Sequence, residues 1–229
     1  FGGTGDPHLQ AAEQGLTLPY ESPSLAQLHP WAQRQTKQSG GRSVGIYLGP
    51  LGFAYNTELL AKRKLPVPRS WADLLRPEFK GEVQMANPAT SGGAYTAVAT
   101  LVQLMGEDQA WDYMARLHKN ISTYPRSGEA PIKAVSRGEA SAAIVFVALG
   151  PGERALGFPT ETLTPVEGTG AEIGAMSIVK GAPHLAVAKK FYEWALTPQA
   201  QQFAFAARGF QVPSNKATPV DARVPDIRK

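Results

Sequence analysis

The stretch Val83-Gln84-Met85-Ala86-Asn87-Pro88-Ala89-Thr90-Ser91-Gly92-Gly93, with Ala94 to Met105 behind it, decides the fold. Val83 to Ala86 is a strand-sized run, and Asn87-Pro88 turns the chain out of it. Beyond Gly93 the spacing becomes helical: Tyr95, Val98, Ala99, Val102 and Met105 share one face. Strand, small-residue turn, helix is the unit from which α/β folds are built.

The unit recurs on both sides. Ser122 to Tyr124 is a short strand, Arg126-Ser127-Gly128 a turn, and Ile132, Val135 and Arg137 lie on the helix that follows; Ala142 to Val147 is a buried strand. Upstream, Gly2-Gly3-Thr4-Gly5-Asp6 leads into a helix capped by Asp6, with Pro7 at its first position and Gly15 at its end. Val44 to Leu48 is a strand that Gly49-Pro50-Leu51-Gly52 breaks, and Phe53 to Tyr55 resumes it. Thr57 caps a helix to about Lys62. Leu163 to Val166 and Ile173 to Val179 are further strands, and His184 to Leu196 and Pro198 to Arg208 two amphipathic helices. The tryptophans and the Phe191/Tyr192/Trp194 group sit at helical spacing and read as core. The alternation predicts largely parallel sheets.

Composition narrows the function classes. A chain of 229 residues suits one large or two modest α/β lobes, and 43% hydrophobic residues with a mean hydropathy of -0.21 suit packed cores. Net charge is +4 and the pI about 9.3, but the basic residues are dispersed: Arg34, Lys37 and Arg42, then Lys62-Arg63-Lys64, Lys189-Lys190, and Arg223 to Lys229. Nucleic-acid binding needs a concentrated basic stripe, so a cleft for an anionic solute is the better reading. The absence of cysteine excludes disulfides, thiol catalysis and thiolate metal sites. The longest apolar run, Ala140 to Leu149, is strand-sized and far short of a membrane span. The opening at Phe1 reads as the end of a strand, so residues are expected before Phe1 and beyond Lys229.

Thr90-Ser91-Gly92-Gly93 carries the clearest chemistry. Free backbone N–H groups at a helix start, two hydroxyls and no bulky side chain make an anion seat. No Gly-Lys-Ser/Thr follows, so it is not a Walker loop. Taken alone, such a turn is more often a plain helix cap. The turns at Gly2–Asp6 and at Arg126-Ser127-Gly128 share its grammar, and such turns converge at the carboxyl edge of parallel strands. Together they predict a shared anion or polyol site, to which Thr4 and the fork of donors of Arg126 contribute. Glu167, in Val166-Glu167-Gly168-Thr169-Gly170, offers a carboxylate to a hydroxyl or an amine, with Glu172 the alternative. Catalysis finds little support: His8, His29, His118 and His184 lack metal-ligand spacing, and no Gly-x-Ser-x-Gly elbow exists.

The stretches from Phe1 to His8, Gly49 to Asn56, Ser70 to Leu75, Asn87 to Gly92, Glu167 to Gly170 and Trp194 to Pro198 together resemble the solute-binding proteins of bacterial ABC importers labelled iron(III)-binding, and within them the hexose-phosphate-binding branch. The resemblance implies a two-lobed periplasmic-binding-protein fold of type II, here with part of the N-terminal lobe missing: residues 1–72 with 174–229 in that lobe and 73–173 in the other. It implies crossings between the lobes near Tyr55 to Trp71 and near Glu172 to Met176. It also implies a monomer outside the cytoplasm that presents a small anionic ligand to a membrane permease, with no cofactor and no metal.

Two departures matter. The adjacent tyrosines of ferric binders belong to the loop that here reads Phe146-Val147-Ala148-Leu149-Gly150, and the His-Asp pair of sugar-phosphate binders is replaced by Ala148-Leu149, so the wall from Val147 to Leu149 is expected to be apolar. Gly93 stands where the resembled turn often has threonine, whereas Thr90, Ser91, Ser127 and Glu167 match. The alternatives left open are a ferric-ion binder using a synergistic anion, a solute sensor, and an enzyme on the same scaffold.

Overall fold

In the computed structural model, which describes residues 1–226, the chain forms two compact units. The last three residues of the basic tail, and of the segment expected to end at 229, lie outside the described residues. One unit comprises Phe1–Gly49 and the chain from Glu172 on; the other is Pro50–Ala171. The chain therefore passes between them at Gly49/Pro50, earlier than residue 72. Pairing changes at this point: from Leu51 the strand pairs with β5, and from Phe53 with β6, both strands of the second unit.

The elements run α1 (Gly5–Glu13), β1 (Thr17–Leu18), α2 (Pro30–Gln38), β2 (Val44–Asn56), α3 (Thr57–Arg63), β3 (Val83–Met85), α4 (Gly92–Met105), α5 (Glu107–His118), β4 (Ile121–Thr123), α6 (Ala130–Ser136), β5 (Ala142–Phe146), α7 (Gly150–Arg154), β6 (Thr160–Leu163), β7 (Ala171–Met176), β8 (Ile178–Val179), α8 (Leu185–Ala195), α9 (Pro198–Ala206) and β9 (Val212–Pro213). Gly49-Pro50 does not break β2, which is one strand of 13 residues. Proline lacks only a donor, and the strand changes partners at this point: Tyr47 and Leu48 pair with β9, and Leu51 onward with β5. Two caps also move. Thr4, not Asp6, is the N-cap residue of α1, and the α3 cap is Asn56, whose Oδ1 accepts from Leu59 N at 2.9 Å.

In the second unit the strand order is β4-β3-β5-β2-β6. β3 is parallel to both β4 and β5, but β2 is antiparallel to β5 and to β6. The expectation of largely parallel sheets thus holds for only three strands; the long β2 runs against them. Register places Met85 of β3 opposite Ile144 of β5. The carboxyl ends of β3, β4 and β5 therefore lie at one edge, and the turns that leave that edge bear on function. The core packs Trp71, Phe53, Phe79, Leu74, Leu101 and Leu117 between this sheet and the helices α4 and α5.

The first unit pairs β1 with β8 and the start of β2 with β9, and buries Leu28, Trp31, Val44, Tyr192 and Leu196. Here the reading of the aromatic group as core fails in part. Tyr192 is buried, but Phe191, Trp194 and Phe203 stay exposed and form a row with Phe1 (ring centroids 5.5, 5.6 and 6.4 Å apart) beside a 310 Å³ apolar groove. In the second unit Trp111 is also half-exposed, while Tyr113 takes the buried place on α5.

Candidate functional site: two laced turns at the carboxyl edge of a parallel sheet

The turn after β3 is held by its own asparagine. Asn87 Oδ1 accepts from Ala89 N at 2.9 Å, and Asn87 O accepts from both Thr90 N and Ser91 N at 3.0 Å. Asn at the head of such a turn satisfies these amides without secondary structure. Ser91 then adopts extended backbone and caps α4: its Oγ accepts from Ala94 N at 3.4 Å. The N–H groups of Gly92 and Gly93 fall in the first turn of a 14-residue helix, where no intrahelical carbonyl reaches them. The helix dipole adds positive potential there.

The second turn, after β4, is tied to the first. Asn87 N donates to Pro125 O at 2.9 Å, and Thr90 Oγ1 donates to Arg126 O at 3.0 Å. A β-carbon placed on Gly128 would stand 2.9 Å from Ser91 Oγ, so the turns touch and only glycine fits at 128 without displacing the serine. Ser127 Oγ accepts from Glu129 N at 3.3 Å. The convergence expected from sequence is therefore present for Thr90, Ser91, Gly92, Arg126, Ser127 and Gly128. Ser91 is buried, and no acceptor among the described residues takes its hydroxyl proton. The Arg126 side chain is exposed and has no ion-pair partner among the described residues.

One expected participant, Glu167, is elsewhere in the second unit. Glu167 lies toward the far end of α4, since a β-carbon on its neighbour Gly168 would contact Leu104 at 3.8 Å. Twelve residues of helix separate Leu104 from Gly92, roughly 18 Å of rise. Its carboxylate is engaged as a cap, accepting from Trp71 N at 3.1 Å, while Trp71 Nε1 donates to Gly168 O at 3.2 Å. Next to this carboxylate, burial and then the charge of Glu167 push the Tyr113 hydroxyl above its usual pKa. That hydroxyl donates to Trp71 O at 2.6 Å. Glu167 thus anchors the Trp71 turn, and Glu167→Ala is expected to cost about 1 kcal/mol of stability, read by urea denaturation. An equal midpoint for both proteins would contradict the anchoring role. Thr4 belongs to the first unit, at an isolated bridge to Gly174, and Glu172, the alternative carboxylate, lies there as well.

The apolar wall also differs from expectation. Val147 and Ala148 are buried, and Leu149 packs against the cluster of Ile132 and Val135. The residue at the sheet edge is Phe146, whose ring lies against Gly93: a β-carbon there would meet Phe146 Cε2 at 2.9 Å and Cζ at 3.3 Å. Sequence reasoning missed this pair. Its only signal was Gly93, on a segment that register alone brings beside Phe146.

Two compact α/β units, one with two small-residue turns laced together at the carboxyl edge of its parallel strands, set the frame for comparison with known proteins. The sequence pattern of the family described as "Bacterial extracellular solute-binding protein" matches residues 5–229, and the chain belongs to that family. A Haemophilus influenzae protein described as uncharacterized is 45% identical over 206 residues, covering 90% of this chain and 60% of its own length. The periplasmic binding protein AfuA from Actinobacillus pleuropneumoniae, solved with exogenous fructose-6-phosphate bound, has a TM-score of 0.94 at 43% identity, over 100% of this chain and 72% of that one. The periplasmic binding protein P5PA has a TM-score of 0.93 at 38% identity, over 100% and 73%. The type II two-lobed fold expected from sequence is shared with these periplasmic binding proteins, and this chain spans about three fifths of the curated relative. No helix among the described residues is long and apolar enough to cross a membrane.

Proposed function

We propose that the chain is the periplasmic solute-binding component of an ABC importer, and that it binds a small phosphorylated or carboxylated organic ligand without transforming it. The observation that carries the reading is the lacing of two turns, which sets the unpaired amides of Gly92 and Gly93 beside the hydroxyl of Ser91 and the turn at Arg126. Donors fixed before binding cost little further ordering. The bound phosphate ester of AfuA supports an anionic ligand here. Thr4 would add a contact from the first unit, and a permease would receive the loaded protein. The ferric alternative wants phenolate or carboxylate oxygens in number. The loop after β5, Val147-Ala148-Leu149, offers neither.

The test is a melting-temperature screen of the whole chain against fructose 6-phosphate, phosphonates and carboxylates, with neutral fructose as control. Anionic compounds are expected to raise the melting temperature through mass action, and fructose is not. Equal shifts by fructose and its phosphate, or turnover of any compound that binds, would overturn the reading.

A further inference from the structure

This inference rests on the anionic-ligand reading and concerns the remainder of the ligand. We propose that Phe146 and Gly93 form a fitted pair that selects the ligand class: an anion whose carbon body is planar or apolar beside the charged group, in preference to a polyhydroxylated one.

The strand explains the position. Ala142 to Val145 of β5 are buried, and Phe146 is the first residue of the strand to be partly exposed. It stands two residues beyond the Ile144–Met85 register, level with Asn87, where the α4 turn begins. Three ring atoms, Cε2, Cζ and Cδ2, would lie 2.9–3.4 Å from any β-carbon at position 93. The ring therefore fills the space of a side chain there, and the first turn of α4 presents amides and a phenyl group where a hydroxyl would otherwise stand. The ring sits on the rigid end of a central strand, paired to Leu51 of β2.

The chemistry follows. A charged group held on the Gly92 and Gly93 amides brings its adjoining atoms within reach of this ring. Sugar hydroxyls placed against a phenyl ring give up water without gaining a partner, and unpaired polar groups are penalised. A planar or apolar body meets no such loss and stacks or packs edge-on, as aromatic pairs do. Selection thus acts as much through rejection of the hydroxylated competitor as through attraction.

The experiment is calorimetric titration of the whole chain, and of Phe146→Ala, Phe146→Leu and Gly93→Thr, with phenyl phosphate and fructose 6-phosphate; orthophosphate reports the charge seat alone. Wild type is expected to bind phenyl phosphate about ten-fold more tightly than fructose 6-phosphate. The ratio is expected to fall toward one in Phe146→Ala. Phe146→Leu keeps apolar bulk, so it maintains folding should the alanine variant not, and it is expected to lose part of the ratio. Gly93→Thr, which must displace the ring, is expected to shift it in the same direction. A wild-type preference for the sugar phosphate, or a ratio unchanged in both Phe146 variants, would overturn the proposal while leaving the anion seat standing. Failure of all three compounds, orthophosphate included, to bind wild type would remove the seat and this proposal with it.

Discussion

Replacing Ser91 with aspartate is expected to cut the affinity for an anionic ligand about a thousand-fold while leaving the fold intact. The two effects separate because of where Ser91 sits. It is the N-cap of α4, and aspartate is among the best N-cap residues. A negative charge there also complements the helix dipole, so the melting temperature of the unliganded protein should hold or rise. The ligand meets the opposite situation. A carboxylate about 4 Å from the bound anion, at the effective dielectric of a partly exposed site, opposes it by about 4 kcal/mol, equivalent to roughly three orders of magnitude in Kd. Ser91→Ala removes one hydroxyl donor and should cost about ten-fold. Titration of both variants with fructose 6-phosphate gives the comparison. Binding by Ser91→Asp within a few-fold of wild type would place the anion somewhere other than the α4 turn.

The turn was legible because its signals are local. A cap serine, two glycines and a helical repeat occupy consecutive residues, and the structure places α4 at Gly92 behind Ser91. Partnership between distant segments was less legible. Parallel pairing of β3 with β4 and β5 follows from strand–helix alternation, and it brought the two turns together as expected. The long antiparallel β2 did not follow, because Gly49-Pro50 carries the same local signature whether a strand ends there or changes partners. Glu167 shows the same limit from the functional side. A carboxylate followed by glycine in a loop suits a ligand or a backbone amide equally, and Trp71, nearly a hundred residues away in sequence, decides the matter. Gly93 was visible as a departure, but Phe146 read only as part of a buried strand, and the register of the sheet is what makes them neighbours.

The tryptophans make the same distinction measurable. Trp71→Ala is expected to lower stability by about 4 kcal/mol, within the range for truncating a buried aromatic, whereas Trp111→Ala should change it by less than about 1 kcal/mol. Nothing in local spacing separates them, since each lies near helical turns. Trp71 is 2% exposed and Trp111 53%. The Trp71 indole meets Phe53 edge-on, with ring centroids at 5.0 Å and planes at 89°, and Tyr113 at 6.2 Å and 86°. Truncation empties this junction, leaves Gly168 O without its indole donor and loosens the turn that Glu167 caps. The Trp111 indole reaches only Glu107 one turn back, at 3.4 Å on an exposed helix face, and solvent replaces that bond readily. Urea denaturation of the two variants should show a greatly lowered midpoint for the first and a nearly unchanged one for the second. The anion seat gives a second readout. Trp71 packs in the core that also contains Ala94 and Ala97 of α4, so a folded Trp71→Ala protein should bind fructose 6-phosphate more weakly as the helix that presents Gly92 and Gly93 loses its backing. A loss below about 1.5 kcal/mol for Trp71→Ala would mean that α4 and the sheet are held together by something other than this junction.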